Sequence, residues 1–190
     1  YENPAHSFLV GRALFETGRV KEAEELLLDA ARRDVENPEA QYYLAMIRDE
    51  RGDARAATEA FLRSLELDSR LAPPPWTLSR ETFEDTARQA LERLNPRLAA
   101  FLDKGEIYFA DAPGVEIVVE GADPRSPILL DSLEGTQPKL RVFIYQRNVE
   151  RMCGSLERIA ETITTTLERE IASAIFCEME APDPDAGTLN

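Results

Sequence analysis

The sequence predicts two antiparallel helical hairpins followed by an α+β domain with a small β-sheet and a long C-terminal helix. Three observations lead to this fold class. Residues in the first seventy positions recur at a spacing of 34, and three consecutive prolines occupy residues 73–75. The remaining residues combine short β-branched or aromatic segments with amphipathic stretches. The chain is therefore expected to contain two regions of different architecture.

Small and apolar residues recur 34 positions apart, a spacing typical of stacked helical hairpins. The recurring pairs are Gly11 and Ala45, Gly18 and Gly52, Ala23 and Ala57, Leu27 and Phe61, and Ala30 and Ser64. In each unit a glycine at the chain reversal precedes a helix whose alanine permits close packing. Residues 1–70 are thus predicted to hold two repeats, at about 4–37 and 38–70.

These residues resemble a pair of tetratricopeptide (TPR) repeats. In that family the first helix of each repeat lines a groove that binds another polypeptide, so the resemblance implies a peptide-binding face on both first helices here. The positions that carry over are Arg12, Phe15, Glu16, Tyr43, Met46, Asp49 and Glu50. The family's carboxylate clamp of lysines and asparagines is missing from this face. Two repeats are fewer than the three or so needed for independent stability, so we expect intrachain capping or oligomerisation.

Residues 71–79 are predicted to form a proline-rich linker, because consecutive prolines favour a stiff extended path. An amphipathic helix at 80–94 is expected to follow, and then three strands. The predicted strands are 106–110, 115–120 and 140–145, with a loop at 121–138. Ser155 is expected to cap a long helix with apolar residues at helical intervals. Together these elements form a predicted domain at 80–180, followed by a disordered acidic tail at 181–190.

The second domain resembles the small zincin-like metallopeptidases of bacteria. The residues that carry the resemblance are Phe83 with Ala90 and Leu91, the Asp111 to Pro113 turn, the strand Phe143 to Tyr145 followed by Arg147, and the helix 167–175. The resemblance implies an H-E-x-x-H motif on this helix, where two histidines one turn apart bind zinc and the glutamate is the general base.

The two histidines of that motif are replaced in this chain. The corresponding positions hold Arg169, Glu170 and Ser173, so only the glutamate remains, and the single histidine of the chain is His6. Arg169 would also place a positive charge where a dication binds. We therefore predict a degenerate, catalytically inactive domain with no metal and no other cofactor.

The balance of charge restricts the partners. The 190 residues include 22 Lys and Arg against 36 Asp and Glu, a formal net charge of −14. Such a chain repels phosphate backbones and anionic lipids, so nucleic acid and membranes are unfavourable partners, whereas basic ones are favoured. Cys153 and Cys177 are predicted to be free thiols, as is typical of the cytoplasm. The sequence shows neither a signal-peptide pattern nor a long apolar run.

The sequence thus predicts a non-enzymatic adaptor or scaffold that binds a basic or amphipathic peptide in its repeat groove. Two alternatives stay open. In the first, the chain is a zinc-dependent metallopeptidase whose missing ligands are supplied in trans. In the second, it is a structural module that forms a homo-oligomer and has no ligand in the groove.

Overall fold

The computed structural model describes residues 3–102, 105–133 and 139–180. The chain is mostly helical with a small three-stranded mixed sheet, an α+β fold in general terms. It divides into two compact units, Tyr1–Ala72 with Pro113–Arg125 and Pro73–Ala112 with Ser126–Asn190. The predicted acidic tail lies outside the described residues.

Two helical hairpins form most of the first unit. Its helices are α1 (Pro4–Glu16), α2 (Val20–Arg33), α3 (Pro38–Glu50) and α4 (Ala54–Arg70). α1 packs on α2, α3 packs on α4, and α2 packs on α3. The repeat spacing of 34 also relates the start of α1 to the start of α3, since Asn3 and Asn37 cap these helices and each is followed by proline. Gly18 and Gly52 have φ of 81° and 76°, which reverses the chain in each hairpin.

Small residues allow the helices of the first hairpin to approach closely. Ala23 and Leu27 of α2 are fully buried. A Cβ atom on Gly11 would lie 2.9 Å from Cγ of Leu27, so α1 can lie this close to α2 because position 11 has no side chain. The 34-residue recurrence of small residues therefore corresponds to the helix–helix contacts of the hairpins.

The first unit also contains a segment that the sequence predicted to be a strand. Residues 115–120 are not extended: Val115–Val119 forms the short helix α7, which packs on α4 with Val118 buried. β-branched residues favour strands only weakly, and packing against neighbouring elements overrides that preference. α7 lies on the second helix of the second hairpin, much as α3 lies on α2. It therefore covers part of α4 within the first unit.

The second unit surrounds a mixed sheet. Its elements are α5 (Arg80–Glu92), α6 (Pro96–Leu102), β1 (Glu106–Ala110), β2 (Ile128–Leu133), β3 (Lys139–Tyr145), α8 (Gln146–Cys153), a 3-10 turn (Leu156–Arg158) and α9 (Ile159–Glu180). β3 is central, parallel to β1 and antiparallel to β2. Val142 and Ile144 of β3 are buried with Phe83 of α5 and with Ile163 and Leu167 of α9.

Three predictions for the second unit differ from the structure. Strand β2 lies within the predicted loop 121–138, where the run of leucine and isoleucine at 128–130 pairs with β3. The long helix begins at Ile159 rather than after Ser155, whose side chain caps no backbone N–H. The predicted linker 71–79 is folded into the second unit from Pro73 onwards, because Trp76 and Leu78 pack against the core of that unit.

Candidate functional site

Four of the seven predicted groove residues lie together where α1 meets α3. The rings of Phe15 and Tyr43 pack edge to face with their centroids 5.7 Å apart. Arg12 Nε donates to Glu16 Oε1 at 2.8 Å, and the Tyr43 hydroxyl donates to the same oxygen at 3.3 Å. The Arg12 guanidinium also lies 5.7 Å from the centre of the Tyr43 ring. We call these four residues the aromatic cluster.

Charges in the aromatic cluster are balanced internally. The hydrogen bond from Arg12 lowers the pKa of Glu16, so Glu16 is ionised at neutral pH. Partial burial raises the pKa of the Tyr43 hydroxyl, which therefore stays protonated and able to donate. The cluster consequently presents aromatic surface and a neutralised ion pair to a ligand.

The other three predicted residues line a cavity of about 260 Å³ within the first unit. Met46, Asp49 and Glu50 of α3 face Phe61 of α4 and Asp123 there. Met46 and Phe61 supply apolar wall, and the carboxylates supply negative charge. Within the described part of the chain, neither Asp49 nor Glu50 forms an ion pair. This acidic cavity therefore has carboxylates without counter-ions, unlike the aromatic cluster.

Sequence reasoning missed three contributors to the acidic cavity, namely Phe61, Gly121 and Asp123. Phe61 is on a second helix, and its ring lies 5.8 Å from that of Tyr42. Asp123 comes from the segment after α7, and its Oδ2 accepts a hydrogen bond of 2.7 Å from the Tyr42 hydroxyl. Burial raises the pKa of Tyr42, and the neighbouring carboxylate raises it further. Tyr42 therefore stays a donor and fixes Asp123 beside the cavity.

Arg125 anchors the same segment to the hairpins. Its buried guanidinium makes a bidentate pair with Asp68, at 2.9 Å and 3.2 Å, and its Nη1 lies 2.8 Å from Glu39 Oε1. It also lies 4.3 Å from the centre of the Tyr42 ring. Burial alone would lower the pKa of Arg125, but hydrogen bonds to Glu39 and Asp68 raise it. Arg125 thus holds residues 113–125 against α3 and α4.

Residues of the degenerate motif lie on the surface of α9. Leu167 and Ile171 are buried, whereas Arg169 and Ser173 are exposed. Arg169 Nη2 lies 3.3 Å from Glu170 Oε1, so the retained glutamate pairs with the residue before it. Among the side chains that the structure describes, no three or more His, Cys, Asp or Glu are close enough together to hold a metal ion.

No helix in the described ranges is long and apolar enough to cross a membrane. Neither the scan against protein-family models nor the search of curated proteins gave a match. The family resemblances of both regions remain predictions from the sequence.

Proposed function

We propose that the first unit binds a basic segment of another polypeptide and that the chain is a non-enzymatic adaptor. The acidic cavity is the observation that carries this proposal. Met46 and Phe61 form apolar wall, and Asp49 and Glu50 contribute charges that the described residues do not neutralise. A lysine or arginine side chain has the complementary chemistry, because its stem is apolar and its head is cationic.

The aromatic cluster supports the same proposal. Tyr43, Met46 and Glu50 lie on successive turns of α3, so the cluster and the cavity are neighbours along one helix. A peptide whose basic side chain enters the cavity could pack an apolar residue on Phe15 and Tyr43. Tyrosine rings at such positions carry much of the binding energy in many interfaces. The net charge of −14 favours fast association with a basic peptide at low salt.

Absence of catalysis is part of the proposal. Its support is chemical: Arg169 and Ser173 offer no imidazole to zinc. We expect purified protein to carry far less than one zinc per chain after dialysis, measured by elemental analysis. About one zinc per chain, together with peptide hydrolysis that a chelator abolishes, would contradict the proposal and favour the peptidase alternative.

A pair of synthetic peptides tests the binding function. One is a helical peptide of lysine and leucine with its leucines on one face, and its control has glutamate in place of every lysine. Fluorescence anisotropy with labelled peptides should detect binding of the lysine peptide to the full chain, weakening as salt rises, and no binding of the glutamate peptide. Equal binding of both peptides would contradict the proposal.

Two double variants with the same change of charge distinguish binding in the acidic cavity from binding through the overall negative charge. Asp49→Asn with Glu50→Gln should weaken binding of the lysine peptide about tenfold or more. The control is Glu22→Gln with Glu25→Gln, which makes the same change of charge on exposed positions of α2. Similar losses in both double variants would show that the peptide responds to overall charge and not to the cavity.

We retain the cytoplasm as the proposed location. Cys153 is a buried free thiol, the state expected in a reducing compartment, whereas the side chain of Cys177 lies outside the described residues.

A further inference from the structure

The second unit contains a cavity of about 410 Å³ that the proposed function does not use. Polar and charged residues from three distant segments line it, namely Thr77 and Arg80, Asp111, and Gln146, Arg147 and Glu150. Its volume lies in the range of small-molecule sites, roughly 300–1,000 Å³. We call it the polar cavity.

Local structure explains how these segments meet. The turn at 74–77 has Pro75 at its second position, where proline is favoured, and presents Thr77. α8 begins directly after β3. Gln146 and Glu150 are four residues apart in α8, so they lie one turn apart on the same helix face. Asp111 follows β1, and its carbonyl oxygen accepts a hydrogen bond of 3.1 Å from Arg147 N.

Glu150 forms the buried end of the polar cavity and is 2% exposed. Its carboxylate accepts hydrogen bonds from Thr77 Oγ1 at 2.9 Å, Leu78 N at 3.2 Å and Gln146 Nε2 at 2.9 Å. All three donors are neutral, and no cationic side chain in the described ranges forms an ion pair with it. An unpaired buried charge is costly, so a cationic group placed beside Glu150 is stabilised.

Gln146 adds a second acceptor to the buried end. Its side-chain nitrogen donates to Leu78 O at 2.8 Å as well as to Glu150. Both partners are acceptors, which fixes the orientation of the amide group. Oε1 of Gln146 has no donor among the described residues, although the side chain is only 6% exposed. Two oxygens on buried side chains are thus available to a ligand that donates hydrogen bonds.

The open end of the polar cavity contains arginine, whereas its buried end contains the carboxylate of Glu150. Arg80 forms an ion pair with Asp111, and these side chains are 39% and 70% exposed. Arg80 Nη1 also donates to Ala110 O at 3.3 Å, and Arg147 lines the same cavity. The Arg80 guanidinium therefore lies on the exposed side of the lining, and Arg147 adds a second positive charge to the same cavity, so an anionic group can bind there without losing all its water.

We infer that the polar cavity binds a small zwitterion with a primary ammonium and a carboxylate, the chemistry of a free α-amino acid or a dipeptide. The ammonium donates to Glu150 and to Gln146 Oε1, and the carboxylate accepts from Arg80 and Arg147. Pro74 and Leu78 supply apolar wall for the ligand's side chain. A free α-amino acid and a dipeptide share this chemistry and differ in the distance between the ammonium and the carboxylate.

Calorimetry on the full chain tests this inference and distinguishes the sources. The probes are the common L-amino acids and the glycyl dipeptides made from them. The amino acid and the dipeptide that bind most tightly are then compared with their own N-acetyl and C-amide derivatives. We expect at least one zwitterion to bind at millimolar concentration or below, and either derivative to bind about tenfold more weakly or worse. If no probe binds, or if blocking the amine leaves affinity unchanged, the inference is wrong.

Variants locate the site. Glu150→Gln keeps the shape of the side chain and removes its charge, and it should weaken binding about tenfold or more. Glu84→Gln makes the same change of charge at an ion pair with Arg88 on α5, outside the cavity, so it is the matched control and should bind normally. Should Glu150→Gln fail to fold by circular dichroism, Arg80→Gln at the open end decides the matter. A folded Glu150→Gln or Arg80→Gln protein that binds as the parent does would overturn the inference.

Discussion

Arg125 in the first unit and Glu150 in the second are both buried charged side chains, but their partners differ. Arg125 has the carboxylates of Asp68 and Glu39 and the face of the Tyr42 ring. Glu150 has three neutral donors and, within the described ranges, no cation. The first arrangement holds a chain segment in place, whereas the second leaves charge available to a ligand. Partner charge, and not burial alone, thus separates a structural group from a candidate binding group.

Removing Arg125 should give the largest effect. Arg125→Met leaves Asp68 buried without its cation, so we expect the free energy of unfolding of the first unit to fall by about 3–5 kcal/mol. Urea unfolding followed by far-UV circular dichroism measures it. Trp76 is the only tryptophan and lies in the second unit, so its fluorescence reports on that unit separately. Arg55→Met, at a side chain 91% exposed, is the control and should cost about 1 kcal/mol or less. An equally small loss for Arg125→Met would contradict the structural role.

Tyr42→Phe should have an intermediate effect. It removes the hydroxyl that donates to Asp123 at 2.7 Å and keeps the ring beneath Arg125. We expect a loss of about 1.5 kcal/mol in the same urea experiment, as for other hydrogen bonds to charged groups. Tyr108→Phe is the matched control, because that hydroxyl donates to Glu106 at an exposed position; it lies in the second unit, so its effect is read from Trp76 fluorescence. Equal losses of unfolding free energy in Tyr42→Phe and Tyr108→Phe would contradict the expectation that the buried hydrogen bond contributes more than the exposed one.

Glu150→Gln should change stability less than either variant at Arg125 or Tyr42. An amide oxygen in the place of Oε1 still accepts from Leu78 N and Gln146 Nε2, and the change removes a charge that lacks a counter-ion, so we expect about 1 kcal/mol or less, read from Trp76 fluorescence. A loss as large as that of Arg125→Met would indicate that Glu150 is a structural group after all.

The ion pair between Arg12 and Glu16 should have the smallest effect on stability, and this effect depends on pH. The hydrogen bond from Arg12 lowers the pKa of Glu16 in the folded state. Its contribution to stability is therefore present above the pKa of the unfolded chain and is lost as the pH falls through the lower, folded pKa. In an NMR titration, Glu16 should titrate at higher pH in the Arg12→Gln protein than in the parent. An unchanged midpoint would show that the ion pair does not persist in solution.

Local patterns predicted the hairpins and part of the second unit. The recurring glycines at positions 18 and 52 do reverse the chain, and strands at 106–110 and 140–145 are present because their β-branched and aromatic residues pair in one sheet. The run at 115–120 has a similar composition but forms a helix, since it packs on α4 instead of a strand. Composition predicts a preference, and tertiary contact decides the outcome.

The sites were harder to predict than the elements. The groove positions on α1 and α3 follow from helical spacing, but the partners of Arg125 lie 57 and 86 positions away in the chain, where no local pattern connects them. One signal for Glu150 was present: Gln146, Val149, Glu150 and Cys153 form a helical stripe whose apolar members mark a buried face. A charged residue on that stripe indicates a buried carboxylate.

The central claim is that the two units carry two separate sites, a peptide site on α3 and a zwitterion site beside α8. An amide NMR titration of the full chain with each probe tests it most directly. The lysine peptide should shift signals around Tyr43, Met46 and Glu50, and the best zwitterion those around Leu78, Gln146 and Glu150. If both probes shift the same signals, or if the peptide acts on α9 and leaves α3 unchanged, the account is contradicted.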